Sequence, residues 1–224
     1  MSIEDLTGNM SRSSQNRKER IRHRRVLFVA RIILQTIILG IVFYLCMQLI
    51  GFFTLFLPVK EIPVDEVERI IEETVQVNSI SDSDTFENSE KVLLIPKIGA
   101  KLGIFDRGED DLTRGIWHKF PERSNPLLGG NFILTGHRFS VGFNPLGQRR
   151  SSPLFNVNKL SEGDEVIVIW RAEVFRYTIT EIFEVEPDGV WIETDTQEHI
   201  LTLYTCGLVG RHGDRVVVRA TLSN

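Results

Sequence analysis

Cysteine is scarce in this chain: its 224 residues hold two, Cys46 and Cys206. Cys46 sits inside a long apolar run and Cys206 near the far end, so the two are not expected to pair and no structural disulfide is predicted. Paired ligand spacings are absent as well, because the histidines and cysteines are scattered singly, and no metal site is suggested. No glycine-rich loop of the phosphate-cradling kind occurs, nor any internal repeat or long low-complexity segment. Hydrophobic content of 42% and charged content of 25% are those of a folded protein. The net charge of −4 conceals an asymmetry. Eight Lys or Arg fall between Arg12 and Arg31, whereas Glu61 to Glu90 is rich in Asp and Glu. The basic end is accounted for by membrane topology, argued next, and no nucleic-acid partner is expected.

Charge is missing altogether from Ile32 to Leu57, where the chain reads IILQTIILGIVFYLCMQLIGFFTLFL. A helix needs about 20 apolar residues to cross a bilayer core. A cleaved signal peptide has an apolar core of only about 7–15 residues. This run exceeds both lengths and no small-residue cleavage site clearly follows it, so a retained transmembrane helix over 32–57 is expected. Because Lys and Arg stay on the cytoplasmic side, residues 1–31 are expected inside as a basic tail, mostly disordered from Met1 to Arg25. Everything after Pro58 is then outside the cell membrane, in a single-pass arrangement.

Val64 to Val75 (VDEVERIIEETV) places Val64, Val67, Ile70, Ile71 and Val75 on one helical stripe. That helix is either a stalk or packs on the flank of the next domain. Asn78 to Glu90 is polar and acidic and reads as a flexible linker, so 58–90 forms an acidic stalk. From Lys91 to Asn224 the pattern is β-rich, with strands expected at 92–95, 131–135, 165–170, 175–185, 200–206 and 215–222. Residues 170–173 read as a hairpin link and Pro187-Asp188-Gly189 as a turn. Many short strands with few helices predict an all-β sandwich or closed barrel, and about 130 residues suffice for its core.

Three segments carry reactive groups. Phe132 to Arg138 is a strand ending in Gly-His137, Ile200 to Gly207 is a strand ending in Thr-Cys206, and Asp214 to Ala220 is a strand opening with Arg215. If the last two form an antiparallel hairpin across the loop 207–214, Arg215 lies opposite Cys206. Arg219 would be on the same face but roughly 13 Å deeper at about 3.3 Å per residue, which makes Arg215 the better candidate; Arg138 and Arg211 read as surface or loop charges. A nearby cation favours the thiolate, a positioned His can protonate a leaving amine, and an Arg can stabilise an oxyanion. Cys, His and Arg converging suggest acyl transfer through a thioester. The plain alternative is a buried, inert Cys206, common for free cysteine.

The order His137, then Thr205-Cys206 at a strand end, then Arg215 opening the last strand resembles the sortases. LLIPKIGAKLGIF at 93–105, LGGNFILTGHR at 128–138 and SPLFNVNKLSEGDEVIVI at 152–169 extend the resemblance over 91–222. The resemblance implies an eight-stranded closed β-barrel with short helices over 91–224. It also implies that His137, Cys206 and Arg215 are the catalytic positions. Cys206 would attack a C-terminal sorting signal of the Leu-Pro-x-Thr-Gly kind in a surface protein and pass the acyl group to an amine of a cell-wall precursor or a pilin. No cofactor is implied, and calcium dependence is left open. Thr205 would help shape the oxyanion site or serve the strand alone, and His118, in a loop before Gly129-Gly130, would pack or line the substrate groove. His212 is expected to be exposed in the Cys–Arg loop, His199 to open a strand and His23 to lie in the tail. No lid segment with an Asp-Pro-Trp-type motif is seen, so a pilin polymerase is the less favoured subgroup.

Two rivals are weighed. L,D-transpeptidases carry Ser-x-Gly before the cysteine and Arg two residues after it; Leu203-Tyr204-Thr205 precedes Cys206 and Leu208 holds the later position, so that match fails. A membrane-anchored β-domain that only binds a peptide would leave Cys206 unreactive.

Overall fold

The computed structural model describes residues 3–80, 91–108, 112, 115–139, 152–207 and 210–223, the last side chains of the second helix and those at 3–23, 25, 54 and 210–212 excepted. The chain divides into two compact units, residues 1–50 and 51–224.

Helix α1 runs from Ile3 to Thr54. Its stretch Val26–Phe53 is long and apolar enough to cross a membrane, at roughly 40 Å for 1.5 Å per residue. The basic segment read as a disordered tail is helical from Ile3 onwards. It holds one glycine and no proline between Ile3 and Arg31, and its Arg, Lys, Glu and Gln are good helix formers. Extending an existing helix avoids the cost of a new nucleus.

The second unit is a closed barrel. Its strands are β1 (Val92–Ile95), β2 (Ala100–Phe105), β3 (Ile116–His118), β4 (Asn131–Gly136), β5 (Glu165–Trp170), β6 (Glu173–Val185), β7 (Ile200–Gly207) and β8 (Gly210–Leu222). They close in the order β1-β2-β3-β4-β7-β8-β6-β5. Six were legible as strands. β2 (AKLGIF) hides behind Ala, Lys and Gly, which are poor strand formers, and β3 is three residues long. β8 also starts five residues before Arg215, so the ladder reaches into the stretch read as a loop. The two-residue link Arg171-Ala172 has φ of 52° and 66°, the left-handed pair that matches hairpin twist.

Inward-facing residues such as Leu93, Phe132, Leu134, Val166, Val168, Tyr177, Leu201, Leu203 and Val218 form the main core. β1 and β5 are apolar on both faces because helix α2 (Val64–Ile80) covers their outer side. Val67, Ile70 and Ile71 of α2 pack on Val92, Leu94, Ile167 and Ile169, with Val75 partly buried beside them. Of the two roles read from the sequence, α2 takes the packing one, and Val64, expected on the stripe, is exposed. Arg176 of β6 ties the helix down, meeting Glu68 at 2.6 Å and Glu165 at 3.0 Å. Of the expected linker, 78–80 belong to α2 and 81–90 lie outside the described residues.

The outer face of β4, β7 and β8 is covered differently. Between β6 and β7 the chain makes the expected turn, with Gly189 N–H donating to Glu186 O at 2.9 Å, then a 3-10 turn over Val190–Glu193. Ile192 from that turn packs against Ile133, Tyr204 and Val217. Asn131, buried on β4, holds the segment in place. Its Nδ2 donates to Ile192 O and Thr194 O at 2.9 Å each, while its Oδ1 accepts from Thr202 Oγ1 at 2.6 Å.

Candidate active site

Three neighbouring strands bring the three candidate residues, His137, Cys206 and Arg215, to one end of the barrel. β4 and β7 run parallel, with Gly136 opposite Thr205. His137 is the next residue after Gly136, and Cys206 the next after Thr205, so this register sets their backbones side by side on strands about 4.8 Å apart. β7 and β8 run antiparallel, with Cys206 opposite Arg215 as expected from the sequence. Alternation decides the faces. Leu201, Leu203, Val216, Val218 and Ala220 point into the core, so Cys206, Tyr204, Arg215 and Val217 stand on the outer face. Cys206 is half-buried there and Arg215 keeps 25% of its side chain exposed.

The half-buried His137 is held through its surroundings. Leu154 N–H donates to His137 O at 3.2 Å, and Phe139, two residues on, packs edge-on against Phe52 at 6.1 Å and tilted against Phe155 at 6.4 Å. Thr205 serves the same end of β4 from the inside: its buried Oγ1 donates to Gly136 O at 2.7 Å. That hydroxyl faces the barrel interior, on the side of β7 opposite to Cys206.

His118 lies on β3 and not in a loop; it is fully buried and paired with Leu134. Its ring packs edge-on against Phe132 at 4.8 Å and Trp170 at 5.6 Å. Its Nδ1 is 3.2 Å from Asp106 Oδ1, and Lys91 pairs with the other oxygen of that carboxylate while sitting over Trp170. His118 therefore packs within the interior, on the other side of the sheet from Cys206. Burial alone would raise the Asp106 carboxyl; the hydrogen bonds from His118 and Lys91, with the positive charge of Lys91, outweigh it and leave it below the ordinary carboxylate value.

The remaining basic candidates separate clearly. Arg219 sits opposite Thr202, four residues further along β8, 3.3 Å from Glu181 and over the Phe183 ring. Arg138 is half-buried; burial lowers its pKa, and the Glu184 charge opposes that. His199 immediately precedes β7, exposed, with its ring against Gly129, where φ is +80°. The side chains of Arg211, His212 and His23 lie outside the described residues.

Sequence reading overlooked a charged cluster beside Arg215. Glu193 Oε1 accepts from Tyr204 Oη at 2.8 Å and from Lys119 Nζ at 2.5 Å, and lies 4.0 Å from an Arg215 guanidinium nitrogen. The Arg215 guanidinium also lies over the Tyr204 ring, 5.4 Å from its centre. Burial, reinforced by the Glu193 charge, pushes the Tyr204 phenol upwards, so it stays a hydrogen-bond donor. Tyr204 was findable, being two residues before Cys206 and hence on its face. Glu193 was not, because it arrives from a separate turn. Among the described residues no group of three His, Cys, Asp or Glu could hold a metal ion.

Residues 93–223 match the sequence model of the family described as the Sortase domain. Sortase A of Streptococcus agalactiae serotype III (strain NEM316) is 30% identical over 156 residues, covering 66% of this chain and 60% of that protein. Sortase D of Bacillus subtilis (strain 168) is 30% identical over 132 residues, covering 57% of this chain and 60% of that protein. The chain thus spans 60% of the length of each of these relatives. In fold it is similar to a Clostridium perfringens sortase D5 transpeptidase, with TM-score 0.52 and 24% identity over 70% of this chain and 99% of that one. Listeria monocytogenes sortase A has TM-score 0.51 and 20% identity over 60% of this chain and 86% of that one.

Proposed function

The chain belongs to the sortase family of transpeptidases, and from that premise we propose that it is a membrane-anchored cysteine transpeptidase whose nucleophile is Cys206, with His137 as acid and base and Arg215 as oxyanion stabiliser. The observation that carries this reading is the register: Cys206 opposite Arg215 on β8, and one residue past the Thr205–Gly136 pair that leads into His137.

The proposed chemistry follows from those positions. The Cys206 thiolate attacks the scissile carbonyl of a sorting signal of the Leu-Pro-x-Thr-Gly kind, forming the C–S bond. The negative charge that develops on the carbonyl oxygen is met by the Arg215 guanidinium. As the tetrahedral species collapses, the C–N bond breaks and His137 gives its proton to the departing amine. The acyl group then rests on Cys206 as a thioester. An acceptor amine from a cell-wall precursor or a pilin attacks that thioester, His137 takes the amine proton, and the thiolate is released. Anchoring by Val26–Phe53 with residues 1–31 inside puts the barrel on the extracytoplasmic side, where surface proteins and wall precursors meet it.

The test is intact-protein mass spectrometry of the detergent-solubilised chain incubated with a library of peptides bearing such signals. A thioester adduct on Cys206 is expected, and it should vanish in Cys206→Ala with the fold unchanged. A folded protein that forms no adduct, and whose Cys206 resists alkylation, would return the reading to a peptide-binding β-domain.

A further inference from the structure

The cluster around Glu193 has no role in the chemistry just described, yet it is built against the one guanidinium that chemistry uses. Glu193 lies on the covering segment between β6 and β7, with 10% of its side chain exposed. A carboxylate so enclosed is unfavourable unless it is paired. Here a single oxygen, Oε1, takes the Tyr204 hydroxyl at 2.8 Å and the Lys119 ammonium at 2.5 Å, and faces Arg215 at 4.0 Å. The backbone beside it is held too, since Arg123 donates to Glu193 O at 3.1 Å.

Distances distinguish what each partner does. Lys119 and Tyr204 are within hydrogen-bond range and fix where the carboxylate sits; at 4.0 Å Arg215 is attracted to it without a hydrogen bond. The Arg215 guanidinium therefore feels a fixed negative charge on one side and the Tyr204 ring face on another, 5.4 Å away. Its five N–H donors are not taken up by Glu193 in a bidentate pair, which is how arginine binds a carboxylate most tightly. An arginine whose task is to meet a transient oxyanion needs this combination: a defined place, and donors that its carboxylate neighbour has not locked in a bidentate pair. Lys119 also offsets the Glu193 charge, so the carboxylate steers the guanidinium without cancelling it at the Cys206 end.

We propose that Glu193, clamped by Tyr204 and Lys119, is a positioning residue that sets the guanidinium of Arg215 beside Cys206 for the transition state. The inference rests on Arg215 serving as the oxyanion stabiliser. A merely structural Glu193, tying the covering segment to β7, makes a different prediction, because its loss would lower stability and leave the cooperation with Arg215 untouched.

The test uses the full chain in detergent and a quenched-fluorescent peptide carrying a Leu-Pro-x-Thr-Gly-type signal, with single-turnover thioester formation followed by intact mass. Glu193→Gln keeps the shape and an acceptor for Tyr204 and Lys119 while removing the charge. It is expected to lower kcat about tenfold to a hundredfold, the scale of a small misplacement of a reacting group, with KM within about twofold. Glu193→Asp, which keeps the charge on a shorter arm, is expected to recover part of that loss. Arg215→Ala alone should be slower than either, and adding Glu193→Gln to it should change the rate by less than about twofold, since the group being positioned is already gone. Thermal unfolding of each variant reports the fold, and Tyr204→Phe, which removes one clamp and no charge, serves if Glu193→Gln does not fold; it should slow the wild-type background and not the Arg215→Ala one. An unchanged kcat in Glu193→Gln, or an equal loss in both backgrounds, overturns the positioning role while leaving Arg215 in place. An active Arg215→Ala overturns the underlying reading, and the proposal with it.

Discussion

Asp106 and His118 form a pair apart from the candidate site, the carboxylate partly exposed and the imidazole fully buried. Asp106 is held below its ordinary value in the fold, whereas in the unfolded chain an aspartate sits near about 3.9. Below that value the unfolded chain binds protons that the folded one still refuses, so acid favours unfolding. The contribution of Asp106 is therefore fully present above about pH 4 and is lost as pH falls through the lower folded value. Asp106→Asn should be less stable than the parent at neutral pH and should lose less on acidification, so that urea midpoints of the two converge as pH falls below about 4. Parallel curves over that range would mean the carboxylate is not held down. At the same scale His118 shows how residue type misleads. A histidine in a stretch read as a loop before Gly129-Gly130 can be mistaken for a catalytic base, yet alternation on β3 turns it into the core beside Phe132 and Trp170.

Strand β4 is where element geometry and chemistry meet. Its last residue, Gly136, hands the chain to His137, and a side chain there would strike the core. A Cβ at Gly136 would come 2.5 Å from Ile116 Cδ1 and 3.1 Å from Leu154 Cδ1. Overpacking of this kind costs about 1–3 kcal/mol, and Leu154 also donates its backbone N–H to His137 O. Gly136→Ala is thus expected to lower stability by about 1–3 kcal/mol in chemical denaturation, and to lower kcat by more than a stability loss explains, because His137 moves with the strand end. Full kcat with the expected destabilisation would show that the shift is absorbed by Ile116 alone. Helix α2 makes the complementary case: its amphipathic stripe was legible, while its packing against β1 and β5 explains why those strands are apolar on both faces.

For the whole molecule the consequential question is sidedness. Cys46 lies within the apolar helix, and the proposed orientation, with the basic flank inside, would put Cys206 on the exterior. A membrane-impermeant maleimide applied to intact cells is expected to label the chain once, at Cys206, and the label should disappear in Cys206→Ala. Labelling that needs permeabilised cells would reverse the orientation.

What the sequence determined by itself were the features that depend on near neighbours. An uncharged run makes a helix long and apolar enough to span a membrane, period-2 alternation makes strands, and the eight residues between Cys206 and Arg215 with antiparallel strands around them put the two opposite each other. The tertiary structure alone decided what depends on distant pairing. The backbones of His137 and Cys206 come side by side because β4 pairs in parallel with β7 at Gly136 and Thr205, a pairing joined by a long crossover whose register no local pattern encodes. Glu193 reaches Arg215 because Asn131 pins a covering segment over the outer sheet, and His118 is enclosed because a three-residue strand closes the barrel between β2 and β4. Local periodicity fixes which way a side chain points; only the burial of apolar surface across the whole barrel fixes what it then meets.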